Sequence, residues 1–145
     1  MQRSILTYLN AVLFAFWIGG FTFYAAVVVP IGTAVLGTVE QGFVTRQVTQ
    51  YLNATGTVTL LYLLVGLRKR GRVAIVTWLI IAAAQALMFG LHGWLDSMLD
   101  PEAMIELVPR SDFYGAHQFY LFAATAQWGA ALVHFWYVFN PPVRT

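Results

Sequence analysis

A chain of 145 residues with 59% hydrophobic and 10% charged side chains has room for one domain, and it falls far below the roughly 25% charged content of a water-soluble one. Its 16% aromatic content suits rings lying between lipid tails and headgroups, and the absence of cysteine excludes disulfides, thiolate nucleophiles, thiolate metal sites and iron–sulfur clusters. The net charge of +2 says little until its distribution is known.

A helix needs about 17–25 apolar residues to cross the hydrocarbon of a bilayer, and four runs qualify: 5–29, 51–67, 73–95 and 113–139. The expected fold is an all-α four-helix transmembrane bundle, one integral membrane domain over residues 1–145. The first run outlasts the roughly 7–15-residue core of a secretion signal and reads as an uncleaved span. Ala11, Ala15 and Gly19, with Gly20 beside them, predict a notch where a second helix approaches closely. Pro30 is expected to bend the outer end of this span.

The second run is diluted by Asn53, Thr55, Thr57 and Thr59, whose polar side is expected to face other helices. Val44, Val48, Tyr51 and Leu52 recur at helical spacing, which extends the helix back toward Glu40 along the membrane surface before it dives. In the third run Gln85, Met88, His92 and Asp96 form one polar stripe, and Ala82, Ala83, Ala84 and Ala86 supply small packing residues. Beyond it, Asp100-Pro101 predicts the cap and first residue of a short surface helix that ends near Leu107, before Pro109.

Ser111-Asp112 is expected to cap the fourth run, and Asn140-Pro141-Pro142 to end it. His117, Tyr120, Ala124, Gln127, Ala131 and His134 fall within a sector of about 100°. His134, among Trp128, Phe135, Trp136 and Tyr137, reads as part of an interfacial aromatic belt. Asn10 and Gln127 are expected to bridge helices.

Four spans place Arg3, Arg68, Lys69, Arg70, Arg72 and Arg144 on one side, with no acid. Arg46 and Arg110 lie opposite with Glu40, Asp96, Asp100, Glu102, Glu106 and Asp112. Short loops rich in Lys and Arg stay inside, so both termini are expected in the cytoplasm and the chain in the cytoplasmic membrane. That explanation leaves no need for a nucleic-acid partner; the bilayer is the expected partner, along with other membrane proteins or further copies of the chain.

No Asp, Glu, Lys or Arg sits mid-span, which argues against a charge-coupled pump and a voltage sensor. The signatures of phosphate-binding loops, dinucleotide folds, zinc peptidases and serine hydrolases are missing. Depth sorts the histidines. Counted from the cytoplasmic ends, His92 lies about 28 Å up its helix, His117 about 33 Å and His134 about 8 Å, so only the first two share a level. If the two stripes face each other, His92 and His117 are candidates to hold a metal ion or a haem b, with Asp96 orienting an imidazole and Met88 nearby. The alternatives are a proton relay, a substrate gate, or a boundary histidine beside the first residue in water.

The first-span stretch Trp17-Ile18-Gly19-Gly20-Phe21-Thr22-Phe23-Tyr24, with its later Pro30, resembles a group of bacterial four-span membrane proteins that share a broad pattern with copper-resistance protein D-like domains. The course from His117 through Gln127-Trp128 to His134-Phe135-Trp136 is similar to the last span of that group. The resemblance implies copper handling, with Met88, His92 and Met98 as the positions that would serve. The membrane protoporphyrinogen oxidases, of similar size, place a histidine in the first span, and this chain has none there. Three expectations follow: a membrane protein that binds or helps translocate a small ligand or metal ion near its outer face, a haem-binding or quinone-linked redox subunit, and a structural partner in a membrane complex.

Overall fold

Unbroken runs of Ala, Leu, Val and Phe offer the backbone no reason to leave the helix, so glycine, proline and a few polar residues set where it stops. The computed structural model describes residues 2–65, 67 and 71–140. Arg68, Lys69, Arg70 and Arg144, which carry much of the expected charge asymmetry, lie outside the described residues, as do Pro141 and Pro142.

Apart from short turns and one small hairpin, the described residues are helical. Helix α1 (Gln2–Phe23) runs through a π-helical segment (Tyr24–Val28) into α2 (Val29–Leu36), followed by α3 (Thr38–Leu63), α4 (Arg72–Asp96) and α5 (Arg110–Phe139). Two short strands, β1 (Leu99–Asp100) and β2 (Ile105–Glu106), join α4 to α5. The all-α expectation holds, with four long helical segments once α1, the π-helical segment and α2 are read as one rod. Two stretches, Ile5–Leu36 and Arg72–Asp96, are long and apolar enough to cross a membrane.

Pro30 does disturb the first rod, one turn earlier than its own position. Without an N–H, and with its ring against the carbonyl of residue 26, it cannot continue the regular ladder. The backbone absorbs the mismatch by widening one turn: the Val29 N–H donates to the Tyr24 carbonyl, five residues back. The rod then continues to Leu36.

The connection from 30 to 50, expected as an outer loop and a surface-lying stretch, is a tight reversal at a single residue. Gly37 takes φ 99, a conformation glycine adopts at little cost, and α3 begins immediately after it. The polar side of α3, expected to face other helices, does so: Gln41, Thr49, Asn53 and Thr59 are buried, while Val44 and Tyr51 are on the exposed side. The polar face points inward.

The expected surface helix after Asp100 is a hairpin instead. Asp100 Oδ1 does accept the N–H groups of Glu102 and Ala103, at 3.0 and 3.1 Å, as a cap would. Met104 then takes φ 53 and turns the chain back, so Leu99 pairs with Glu106 and Asp100 with Ile105. The Leu107 N–H donates to the Met98 carbonyl at 2.8 Å and extends the pairing. Helix α5 starts at Arg110 with Pro109 at its cap and no side-chain cap; the Ser111 hydroxyl donates to its neighbour Asp112 instead.

Helix α4 packs chiefly on α5, while α1 and α2 pack on α3. Two apolar clusters result. One gathers Met88, Leu95, Met98, Ala116, Tyr120 and Ala124 at the hairpin end; the other gathers Phe14, Trp17, Ile18, Leu60, Ile81 and Ala131. The expected notch at Ala11, Ala15 and Gly19 is not where helices meet: Ala15 and Gly19 are exposed, and a Cβ on Gly19 would touch nothing. The close approach is at Gly56, where a Cβ would lie 2.6 Å from Trp17 Nε1 and 2.8 Å from Gln85 Oε1. An indole fills the space that a small-residue stripe was expected to provide on the other helix.

Candidate functional site

Because α3, α4 and α5 all turn polar residues inward, a chain of amides crosses the bundle. The Gln127 amide on α5 donates to Gln85 Oε1 on α4 at 2.8 Å. The Gln85 amide donates to Asn53 Oδ1 on α3 at 3.3 Å, and the Asn53 amide to the Tyr120 hydroxyl at 3.4 Å. The expected bridging by Gln127 is thus observed. Asn10, also expected to bridge, is buried at 2% exposure, and its Oδ1 has no partner among the described residues.

Toward the hairpin end this ladder opens into a cavity of about 330 Å³ between the α2–α3 pair and the α4–α5 pair, within the 300–1,000 Å³ range usual for small-molecule sites. His92 and His117 both line it, so the two histidines that share a level also share a space. The facing stripes predicted on α4 and α5 are real: Gln85, Met88, Tyr120, Ala124, Gln127 and Ala131 are all buried, and the His92 ring lies 6.4 Å from the Tyr120 ring.

The individual roles expected for these residues divide. Asp96 is not simply the first residue in water: Arg46 Nε donates to its Oδ1 at 2.7 Å and Nη2 to its Oδ2 at 3.3 Å. His92 Nε2 is 3.6 Å from Asp96 Oδ2, too far for a hydrogen bond, and has no partner among the described residues. His117 stacks on Phe113 with ring centroids 6.1 Å apart and planes within 7°. Met88, 2% exposed, belongs to the apolar cluster, as does Met98. Among the described residues no group of three or more His, Asp or Glu side chains is placed to hold a metal ion.

His134 lies far from this cavity, as the depth count requires, but it is not an interfacial belt residue. It is fully buried, with Nδ1 2.8 Å from Thr77 Oγ1, about 22 Å of helix before His92 on α4. It occupies the inward sector of α5 shared by Gln127 and Ala131, which faces α4 rather than lipid or water.

A smaller recess of about 90 Å³ lies next to the cavity. The two share Ala25, Val29, Thr45, Thr49, His117 and Tyr120, and the recess reaches inward to Trp17, Asn53 and Gln127. Here the π-helical segment matters, since Ala25 lies on the widened turn and forms wall to both. Its Tyr24 hydroxyl donates to Thr45 Oγ1 at 3.0 Å, and the Gln41 amide lies 3.4 Å from both hydroxyl oxygens. Sequence reasoning missed Arg46 and Gln41. The available signal was the stripe Arg46, Thr49, Asn53, Gly56 and Leu60, at steps of three and four along α3.

Fold and site together define an all-helical bundle with a hydrogen-bonded polar interior and an amphipathic cavity at one end. No protein-family model matches the chain, no curated protein is significantly similar to it, and no solved structure matches it.

Proposed function

We propose that the chain is a four-span protein of the cytoplasmic membrane, with both termini inside, that binds a small organic ligand in the cavity near its outer face. The membrane reading is supported by the distribution of side chains. Large apolar groups face outward on every long helix, with Phe16 70%, Val58 56%, Leu79 55% and Phe122 76% exposed, while Asn53, Gln85, Gln127 and His134 are inside. A water-soluble bundle sorts its residues the other way. The orientation rests on the basic residues: Arg72 begins α4 at the end opposite the hairpin, Arg68, Lys69 and Arg70 precede it in the sequence, and short loops rich in Lys and Arg stay inside.

The observation that carries the ligand reading is the shared cavity itself. His92, His117 and Tyr120 bring polar side chains from two helices to the wall of one cavity, and a few convergent polar groups in an apolar pocket are what orient a small molecule. Organic extraction and mass spectrometry of purified wild type beside His92→Ala and His117→Ala tests it. The expected result is a compound present at one per chain in wild type and depleted in both variants; an extract with nothing that the variants lack would sink the reading. A Soret band in the same sample would replace it with the haem reading, and retained copper or zinc lost in the variants with the metal reading that the copper-resistance resemblance implies. A membrane protein co-purifying in fixed ratio would favour the assembly role.

A further inference from the structure

We infer that the ligand is an uncharged amphiphile, a carbonyl-bearing head on a single apolar chain, and that it enters the cavity through a lateral opening toward the lipid. This inference rests on the membrane and ligand reading above, and it follows from the shape, the charge balance and the opening of the site.

Shape comes first. The residues of α5 that line the cavity and the recess extend from Arg110 at the hairpin end to Gln127, about 25 Å of helix at 1.5 Å per residue. A metal ion or a compact polar solute needs no such length. The inner part is lined by Trp17, Phe21, Leu52, Met88 and Ala124, a lining that solvates a hydrocarbon segment and offers a polar solute little.

Charge balance comes second. The wall of the cavity carries two guanidinium groups, Arg46 and Arg110, and two carboxylates, Asp96 and Glu106. Arg46 and Asp96 neutralise each other directly at 2.7 Å, and Arg110 lies over the Tyr114 ring at 5.6 Å. An anionic head would meet Glu106, and a cationic one Arg110, so neither gains net attraction. The groups at mid-depth are His92, His117, Thr49 and Tyr120, two imidazoles and two hydroxyls. Each has an N–H or O–H, and they approach from α3, α4 and α5. Such a set matches an uncharged head that accepts hydrogen bonds from more than one side.

The opening comes third. Ala25 and Leu121 line both the cavity and the recess, yet Ala25 is exposed and Leu121 is 50% exposed. A residue that is both wall and outer surface marks the lip of an opening. It lies between the π-helical segment, which is hydrogen-bonded to α3 through Tyr24, and α5, which packs on α4. At the hairpin end the paired residues Leu99 and Glu106 line the cavity, and the exposed wall residues Arg110 and Tyr114 mark a second opening there. One of the two routes to the site therefore faces the apolar flank of the bundle.

Native mass spectrometry of the full chain, released from detergent micelles, tests the inference with decylubiquinone and monolaurin, two probes that share the stated chemistry but differ in head. Controls are the same two heads without their chains, as 2,3-dimethoxy-5-methylbenzoquinone and glycerol monoacetate, together with dodecyl phosphate and dodecyltrimethylammonium. One of the two uncharged amphiphiles is expected to bind one per chain and roughly tenfold or more tighter than its chainless head and than either charged amphiphile; which one binds identifies the head. Ala25→Leu and Leu121→Trp, at exposed positions that leave the core intact, are expected to weaken it roughly tenfold, and His117→Ala comparably, through the lost hydrogen bond.

Equal binding of a chainless head would overturn the amphiphile while leaving the cavity as a ligand site. Preference for a charged amphiphile would overturn the charge argument, and unchanged binding in both lip variants would overturn the lateral route. Failure of all probes would end the inference, with the extraction experiment still deciding whether the cavity holds anything.

Discussion

Arg46 on α3 and Asp96 at the end of α4 form a two-point ion pair, 2.7 Å from Nε to Oδ1 and 3.3 Å from Nη2 to Oδ2, at the wall of the cavity. Each side chain is about a quarter exposed, at 25% and 24%, so the pair is neither a solvated surface contact nor a dry one. Fork geometry favours arginine here, since two parallel hydrogen bonds fix the angle between the helices as well as their separation.

Removing one partner strands the other charge. Arg46→Ala and Asp96→Asn are each expected to lower stability by about 1–3 kcal/mol, with the double variant losing much less than the sum. A double-mutant cycle of thermal or denaturant unfolding in detergent measures the coupling; independent, additive losses would show that the pair contributes little.

Gly56 and Gly19 are predicted to respond oppositely to alanine. At Gly56 the new Cβ meets Trp17 and Gln85 within 2.8 Å, so Gly56→Ala is expected to cost about 1–3 kcal/mol by overpacking. At Gly19 nothing lies within 4 Å, and Gly19→Ala is expected to be neutral or to stabilise by up to about 1 kcal/mol through helix propensity. Melting temperatures of the two variants decide this; equal shifts would contradict the packing described.

Gln85 is the hinge of the amide ladder, because it accepts from Gln127 and donates to Asn53. Gln85→Leu should therefore destabilise by about 1–3 kcal/mol, the range for leaving buried partners unsatisfied. Single interhelical hydrogen bonds in membranes average nearer 0.6 kcal/mol, and Gln127→Leu, at the ladder's end, is expected closer to that value. Denaturant titration should rank Gln85→Leu as the more damaging; the reverse order would mean the ladder is not connected as described.

His134 and His117 should separate stability from binding. His134→Ala removes a fully buried ring and its contact with Thr77 and is expected to cost about 2 kcal/mol with no effect on ligand content. His117→Ala is expected to do the reverse. Paired unfolding curves and extractions of both variants check the contrast.

Orientation has its own test. Single cysteines at Met104, in the hairpin, and at Gly71, before α4, are expected to react with an impermeant maleimide in intact cells from outside and not from outside, respectively. Labelling of Gly71→Cys alone would invert the proposed topology.

The helical runs, the polar stripes on α4 and α5, the shared level of His92 and His117 and the isolation of His134 were all legible in the sequence, because each depends on spacing along one helix or on rise per residue. The hairpin at 99–106 was not: Asp100 offers its carboxylate to the next N–H groups in a cap and in a turn alike, and only the φ of Met104 separates the two outcomes. The inward polar side of α3 was legible in Asn53 and Thr59. The one-residue reversal before the helix was not, because it rests on the φ of Gly37, which spacing does not encode.

Composition and periodicity alone determined that this chain is an apolar helical bundle, since those properties belong to each segment taken by itself. Tertiary structure decided that Trp17 docks at Gly56, that Arg46 holds Asp96 and leaves His92 Nε2 unbonded, and that the π-helical turn before Pro30 forms part of a cavity wall. These are relations between helices, and they depend on the rotation of each helix about its axis, which spacing within one segment does not contain.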